Sequence, residues 1–164
     1  MTKIGLISDT HDYLDDAVFK HFDKCDEIWH AGDFGTAAIA DALKAFRPLR
    51  GVYGNIDGYD IRSEYPETLV WQCEEVKILM IHIGGYPPQY NPKSKPLIKE
   101  EHPQIFISGH SHILKIMFDP AVDCLHMNPG AAGKHGWHKV RTLVRFEIDG
   151  KDIKNCEVIE LGSR

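Results

Sequence analysis

Five short runs of Asp, Asn, His and Gly hold most of the reactive chemistry of this sequence: Asp9-Thr10-His11, Gly32-Asp33, Gly54-Asn55-Ile56-Asp57, His82 and Gly109-His110-Ser111-His112. Carboxylates, a side-chain amide oxygen and neutral imidazoles suit manganese, iron, zinc or nickel. Thiolates, which select softer ions, are absent from the set. Cys25, Cys73, Cys124 and Cys156 form no Cys-x-x-Cys pair and read as small core residues with free thiols. Each run alone has an ordinary explanation. Asp33 could cap a helix, Asn55 after Gly54 could be a turn residue, and His82 could be a hydrogen-bonded structural histidine. Together and in order, each after a β-rich run, they point to a shared metal site.

Such residues act together only if the chain gathers them. Lys3 to Ser8, Glu27 to His30 and Leu49 to Tyr53 read as buried strands. Between them, Leu14, Val18 and Phe22 repeat at helical spacing, with Ala17 and Phe19 near the same face. Thr36 can cap a second helix whose apolar face is Ile39, Ala42, Leu43 and Phe46. This alternation argues for α/β organisation with parallel strands. The second half is richer in strands: Thr68 to Cys73, Val76 to Ile81, Gln104 to Ser108, Leu114 to Phe118 and Cys124 to Met127. Val140 to Ile148 and Ile153 to Leu161 form a hairpin around Asp149-Gly150. The proline-rich loop from Gly84 to Pro92 leads into a short helix near Pro96 to Glu101. One doubly wound sheet needs fewer strands, so two stacked sheets with helices outside are expected. No repeat or linker interrupts the chain, and residues 1–164 read as one domain. Loops at the carboxyl ends of parallel strands gather on one edge of such sheets, where the five runs should meet.

Composition narrows the function. The net charge of -5 and the brevity of the longest basic stretch, Lys93-Ser94-Lys95, disfavour a stable nucleic-acid complex. No apolar run is long enough to cross a bilayer. A charged residue at Lys3 argues against a secretory signal, so the expected location is the cytoplasm, with no membrane partner.

The order Asp-x-His, Gly-Asp, Gly-Asn-x-Asp, His, Gly-His-x-His resembles the calcineurin-like metallophosphoesterase superfamily, and within it the small bacterial and archaeal branch of single-domain phosphodiesterases. The match spans residues 4 to 131 and includes Asn128-Pro129-Gly130-Ala131, similar to the branch's Asn-Pro-Gly-Ser turn. The resemblance implies a four-layer αββα sandwich, two mixed β-sheets flanked by helices, with the site along one edge. It implies two divalent metal ions, Mn²⁺ as first choice, with Ni²⁺, Zn²⁺, Fe²⁺ or Mg²⁺ as alternatives. Asp9, His11 and His112 would hold the first ion and Asn55, His82 and His110 the second, with Asp33 bridging. Asp33, Asn55 and His82 are the expected catalytic residues. A metal-bridging hydroxide would attack a phosphate ester in line with its leaving oxygen.

The pattern has two departures. Many larger members carry a His after the Asn that assists the leaving group; Ile56 stands there and cannot. A positioned acid contributes roughly 10²–10⁴-fold, so diesters with good leaving groups are the expected substrates. After His82 comes Ile83-Gly84 where the branch often has another polar residue. Lys134 and His135, in the loop Gly133 to His138, are candidates for substrate contact, with Trp137 expected to pack against the loop's base. Tyr86 and Tyr90 could stack on an aromatic group or simply belong to a rigid connector. His21, His30, His102 and His126 read as structural or surface residues. A non-catalytic protein scaffold of the same fold is the alternative function. A small phosphate ester is the expected partner, and small relatives are often homo-oligomers.

Overall fold

The computed structural model describes residues 1–164. Strand alternation sorts the side chains into layers. In β1 (Thr2–Ile7), Ile4 and Leu6 belong to one apolar cluster and Ile7 to another. β2 (Glu27–His30) divides in the same way, with Trp29 in the first cluster and Ile28 in the second. β1 and β2 run parallel, and β3 (Leu49–Gly51) continues the parallel run. On the other side of β1 the long hairpin of β11 (Val140–Asp149) and β12 (Asp152–Ser163) adds two antiparallel strands, giving the order β12-β11-β1-β2-β3. Gly150 and Lys151 make the hairpin turn, with Gly150 at φ 63°, the left-handed region that glycine enters freely.

The second sheet repeats this plan. β5 (Val76–Ile81), β8 (Ile105–Ile107) and β10 (Cys124–Asn128) are parallel neighbours. β4 (Thr68–Cys73) and β9 (Lys115–Asp119) flank them antiparallel. Both sheets are therefore mixed. Ile78, Met80, Ile105, Ile107 and Met127 face Ile4, Leu6, Trp29, Val144 and Phe146 across the sandwich. Helices cover the outer faces. α1 (Ala17–His21), α2 (Ala37–Phe46) and α3 (Tyr59–Arg62) lie outside the first sheet, placing Val18, Ile39, Leu43 and Ile61 against Ile7 and Ile28. α4 (Ser94–Glu101) lies outside the second, with Ile98 on Leu79, Ile81 and Phe106.

Several local details differ from expectation. α1 spans only 17–21, because residues 13–15 approach it without regular structure and only Asp16 turns into it. On α2, Ala40 rather than Ala42 is buried beside Ile39 and Leu43. Thr36 occupies the N-cap position but spends its hydroxyl on Asp12 Oδ1 at 2.5 Å, joining two loops instead of capping the helix. The proline-rich loop folds into a two-stranded hairpin, β6 (Gly85–Tyr86) and β7 (Gln89–Tyr90), turning at a cis Pro87-Pro88 bond.

Candidate metal centre

The segments after β1, β2, β3, β5 and β8 converge at one edge of the sandwich, and all seven expected ligand residues meet there. Ligand atoms of Asp9, His11 and His112 all lie within 4.8 Å of one another, as do those of Asp33, His82 and His110. In the first group, Asp9 Oδ1 lies 3.1 Å from His112 Nε2 and 3.7 Å from His11 Nε2. In the second, Asp33 Oδ2 lies 3.1 Å from His82 Nε2. The same Asp33 oxygen is 3.3 Å from His11 Nε2, so this carboxylate faces both groups. Asn55 Oδ1 lies 3.1 Å from His82 Nε2 and 3.0 Å from His110 Nδ1.

The chain pins one oxygen of each carboxylate and leaves the other facing the imidazoles. Ser8 Oγ donates to Asp9 Oδ2 at 2.6 Å, and the His110 backbone N–H donates to it at 3.1 Å. The Ile56 N–H donates to Asp33 Oδ1 at 3.0 Å. His82 Nδ1–H donates to the Ala31 carbonyl at 2.7 Å, turning Nε2 toward the centre. A main-chain group thus orients this ring, as outer partners of metal-bound histidines do, without a polar side chain at 83 or 84. Asp9 Oδ1 and His11 Nε2 are buried with no hydrogen-bond partner. Orphaned polar atoms of this kind are costly, and a divalent ion among these oxygen and nitrogen donors would satisfy them. The residues present therefore fit a metal.

Asp57 organises the centre from behind. Its carboxylate accepts the backbone N–H groups of Asp33, Phe34, Gly35 and Gly54 at 3.0, 3.2, 2.9 and 2.8 Å. Five of the seven candidate ligand residues, Asp9, His11, Asp33, His110 and His112, adopt positive φ between 44° and 70°. Non-glycine residues hold this left-handed conformation at a cost of about 1 kcal/mol each, and such strain concentrates at functional sites. Two glycines permit the close approach. A Cβ on Gly54 would fall 2.0 Å from Asp33 Oδ1, and one on Gly109 would fall 2.3 Å from Ser8 Oγ.

The electrostatics follow from this packing. Burial alone would raise the Asp9 carboxyl, but the close approach of the His11 and His112 rings outweighs it and holds the group far below the usual carboxylate range. Asp33 behaves likewise: burial opposes ionisation, and His11 and His82 overcome it. The nearby Asp33 and Asp9 carboxylates push His11 up to about 9. Burial works against the charged His82 ring, yet its bond to Asp33 raises it, whereas burial and the neighbouring His82 lower His110.

His135 stacks on His11 with ring centroids 4.8 Å apart, at the first group. Lys134 points elsewhere, its Nζ lying 4.4 Å over the Tyr13 ring. Trp137 does not pack against the loop's base; it follows Gly136, at φ 130°, and is 99% exposed. His138 stands beside His112, centroids 5.2 Å apart, with Nε2–H donating to the Gly133 carbonyl at 2.7 Å. His30 is structural: its ring stacks on Phe34, bonds Thr10 Oγ1 at 3.1 Å and accepts the Gly32 N–H. Burial pushes it down to about 3, keeping it neutral. Ser8 beside the centre was not singled out by the sequence; Asp57 stood in Gly-Asn-x-Asp and His138 in the loop Gly133 to His138, but neither was assigned a role of its own.

A family model described as the calcineurin-like phosphoesterase superfamily domain matches residues 2–151. A probable metallophosphoesterase of Methanocaldococcus jannaschii is 37% identical over 134 residues, 78% of this chain and 67% of that protein. Among solved structures, an archaeal phosphodiesterase superposes with a TM-score of 0.76 at 22% identity, covering 97% of this chain and 99% of that one. Vps29 of Chaetomium thermophilum gives 0.78 at 17% identity, covering 98% and 97%. Model match and sequence identity agree with the sandwich and its edge site: the chain belongs to the calcineurin-like phosphoesterase superfamily.

Proposed function

We propose that this chain is a phosphodiesterase that holds two divalent ions, one at Asp9, His11 and His112, the other at Asn55, His82 and His110, with Asp33 shared. The position of Asp33 Oδ2, within 3.3 Å of His11 and 3.1 Å of His82, carries this reading. When bound, the ions would supply Lewis acidity to the phosphoryl oxygens and a water of lowered pKa. The chain supplies everything else. Asp33 sets the spacing between the two groups. Ser8 and the His110 amide fix the face that Asp9 presents, and Asn55 and His82 orient the second group. His135, stacked on His11, is the side chain we assign to the substrate, whereas Lys134 would have to leave Tyr13 to reach it. Ile56 is 46% exposed and contributes only its main-chain N–H, so no acid stands at that position. This favours diesters with good leaving groups, and a structural neighbour is itself described as an archaeal phosphodiesterase. The donor set suits several divalent ions, and manganese is taken as the first choice on the family resemblance.

The test is hydrolysis of bis-p-nitrophenyl phosphate against p-nitrophenyl phosphate, after stripping and refilling with Mn²⁺, Ni²⁺, Zn²⁺ or Mg²⁺. Metal-dependent cleavage favouring the diester, lost in Asp33→Ala, is the expected result. Equal or better turnover of the monoester would overturn the diester assignment.

A second reading, a scaffold that binds protein, draws on a different observation. The edge strand β9 exposes Ile116, Met117 and Phe118 by 37%, 43% and 53%. Apolar surface of this kind marks contact sites. The complete ligand set keeps the hydrolase first; metal binding without turnover of either ester would favour the scaffold.

A further inference from the structure

A cavity of about 450 Å³ opens beside the candidate metal centre, and His110 belongs to both. The hairpin β6–β7 forms one side of it and the segment after His110 another. Its apolar surface comes from Ile83, Tyr86 and Ile113, which are 38%, 40% and 61% exposed. Its polar surface is rich in uncommitted donors. Ser111 Oγ accepts from the Ile113 N–H at 3.2 Å and from Asn128 Nδ2 at 3.1 Å, which leaves its hydroxyl proton free to donate. The Gln89 oxygen receives the Tyr86 hydroxyl at 3.5 Å, leaving its NH₂ group. The Lys115 ammonium lies 4.1 Å over the Tyr86 ring rather than against a carboxylate.

The cavity also reaches His126, which is 1% exposed and has no partner for either ring nitrogen. A buried, unpaired ring beside a cavity is unusual for a structural histidine, which normally finds a hydrogen-bond partner. Burial keeps it neutral, pushing it down to about 4 against the opposing Phe106 backbone, so it presents one donor and one acceptor.

We propose that this cavity receives one ester arm of the substrate, and that the arm is a flat heteroaromatic ring bearing hydrogen-bond acceptors, as in a nucleobase. This rests on the phosphodiesterase reading, because the cavity adjoins the place where the phosphorus would sit. Apolar walls with a few convergent polar groups suit a planar ring. Ile113 would hold one face and Tyr86 the other once the Lys115 ammonium moves off its ring, and Ser111, Gln89 and the released Lys115 would meet the ring's acceptors. A short alkyl arm would use none of them.

The experiment compares two diesters with the same leaving group on the Mn²⁺-loaded protein: the p-nitrophenyl ester of thymidine 5′-monophosphate and methyl p-nitrophenyl phosphate. The kcat/KM ratio should favour the nucleoside ester at least tenfold, roughly the value of one well-used apolar contact. Tyr86→Ala and, as a second variant, Ile113→Asp should bring the ratio toward one. A binding measurement accompanies it: saturation-transfer NMR with thymidine 5′-monophosphate, in which the base protons should receive saturation from the wild type and lose it in both variants. A ratio near one in the wild type, or base protons without saturation, overturns the subsite. Absence of turnover of both esters overturns the phosphodiesterase reading instead, and the NMR result then decides the subsite by itself.

Discussion

The Asp57 carboxylate accepts main-chain N–H groups from both the loop that carries Asp33 and the loop that carries Asn55. Removing it would strand several buried donors at about 1–3 kcal/mol each, less whatever water recovers. Asp57→Ala should therefore destabilise the fold by roughly 3 kcal/mol or more, measured by urea unfolding, although Asp57 faces no ion. His11 contributes a pH dependence on the alkaline side. Its folded, metal-free value of about 9 lies above its ordinary 6.5, so its pairing with Asp33 and Asp9 stabilises the fold fully below 6.5 and fades as pH rises through 9. A ligating imidazole must be neutral, so metal uptake near pH 7 should release a proton, and affinity should climb toward pH 9. Calorimetry in buffers of different ionisation enthalpy reads that proton directly; uptake with no proton release would contradict the assignment of His11. The seven candidate ligand residues stood out in the sequence because ligation demands particular atoms, and the fold brings them to one place. Asp57's partners are main-chain groups that leave no residue-type signature, and the irregular loop that carries Lys134 and Trp137 has no period from which their directions could be read.

At the scale of elements, the sharp exits from the parallel strands build the site. Gly54 lets β3's exit loop touch Asp33, where a Cβ would collide at 2.0 Å. Gly54→Ala should cost about 10–100-fold in metal affinity, the range typical of displaced outer partners, while circular dichroism stays native. Unchanged affinity would show that Asp33 tolerates displacement. Strands and the β11–β12 hairpin were legible from alternation and turn residues, with β4 and β5 matching their expected limits. The four-residue helix α3 and the two-residue strands β6 and β7 were not, since elements this short carry no period. Ala42 illustrates a further limit: alanine is small enough for either face of α2, and packing alone chose Ala40.

For the whole molecule, the two sheets contribute opposite walls of one centre: Asp9, His11, Asp33 and Asn55 follow strands of the first, and His82, His110 and His112 follow strands of the second. Ion binding should therefore cross-link the sandwich. At a free concentration one hundred times Kd, one bound ion adds about 2.7 kcal/mol. For a chain of this size that corresponds to a Tm rise of roughly 5–10 °C, reversed by a chelator, in a calorimetric scan. The most direct test of the central claim is a titration of metal-free protein with Mn²⁺, following bound ion and bis-p-nitrophenyl phosphate turnover together. The account predicts two ions per chain, with activity appearing only as the second binds and vanishing in Asp33→Ala. Saturation at one ion with full activity, or activity undiminished in the variant, would contradict it.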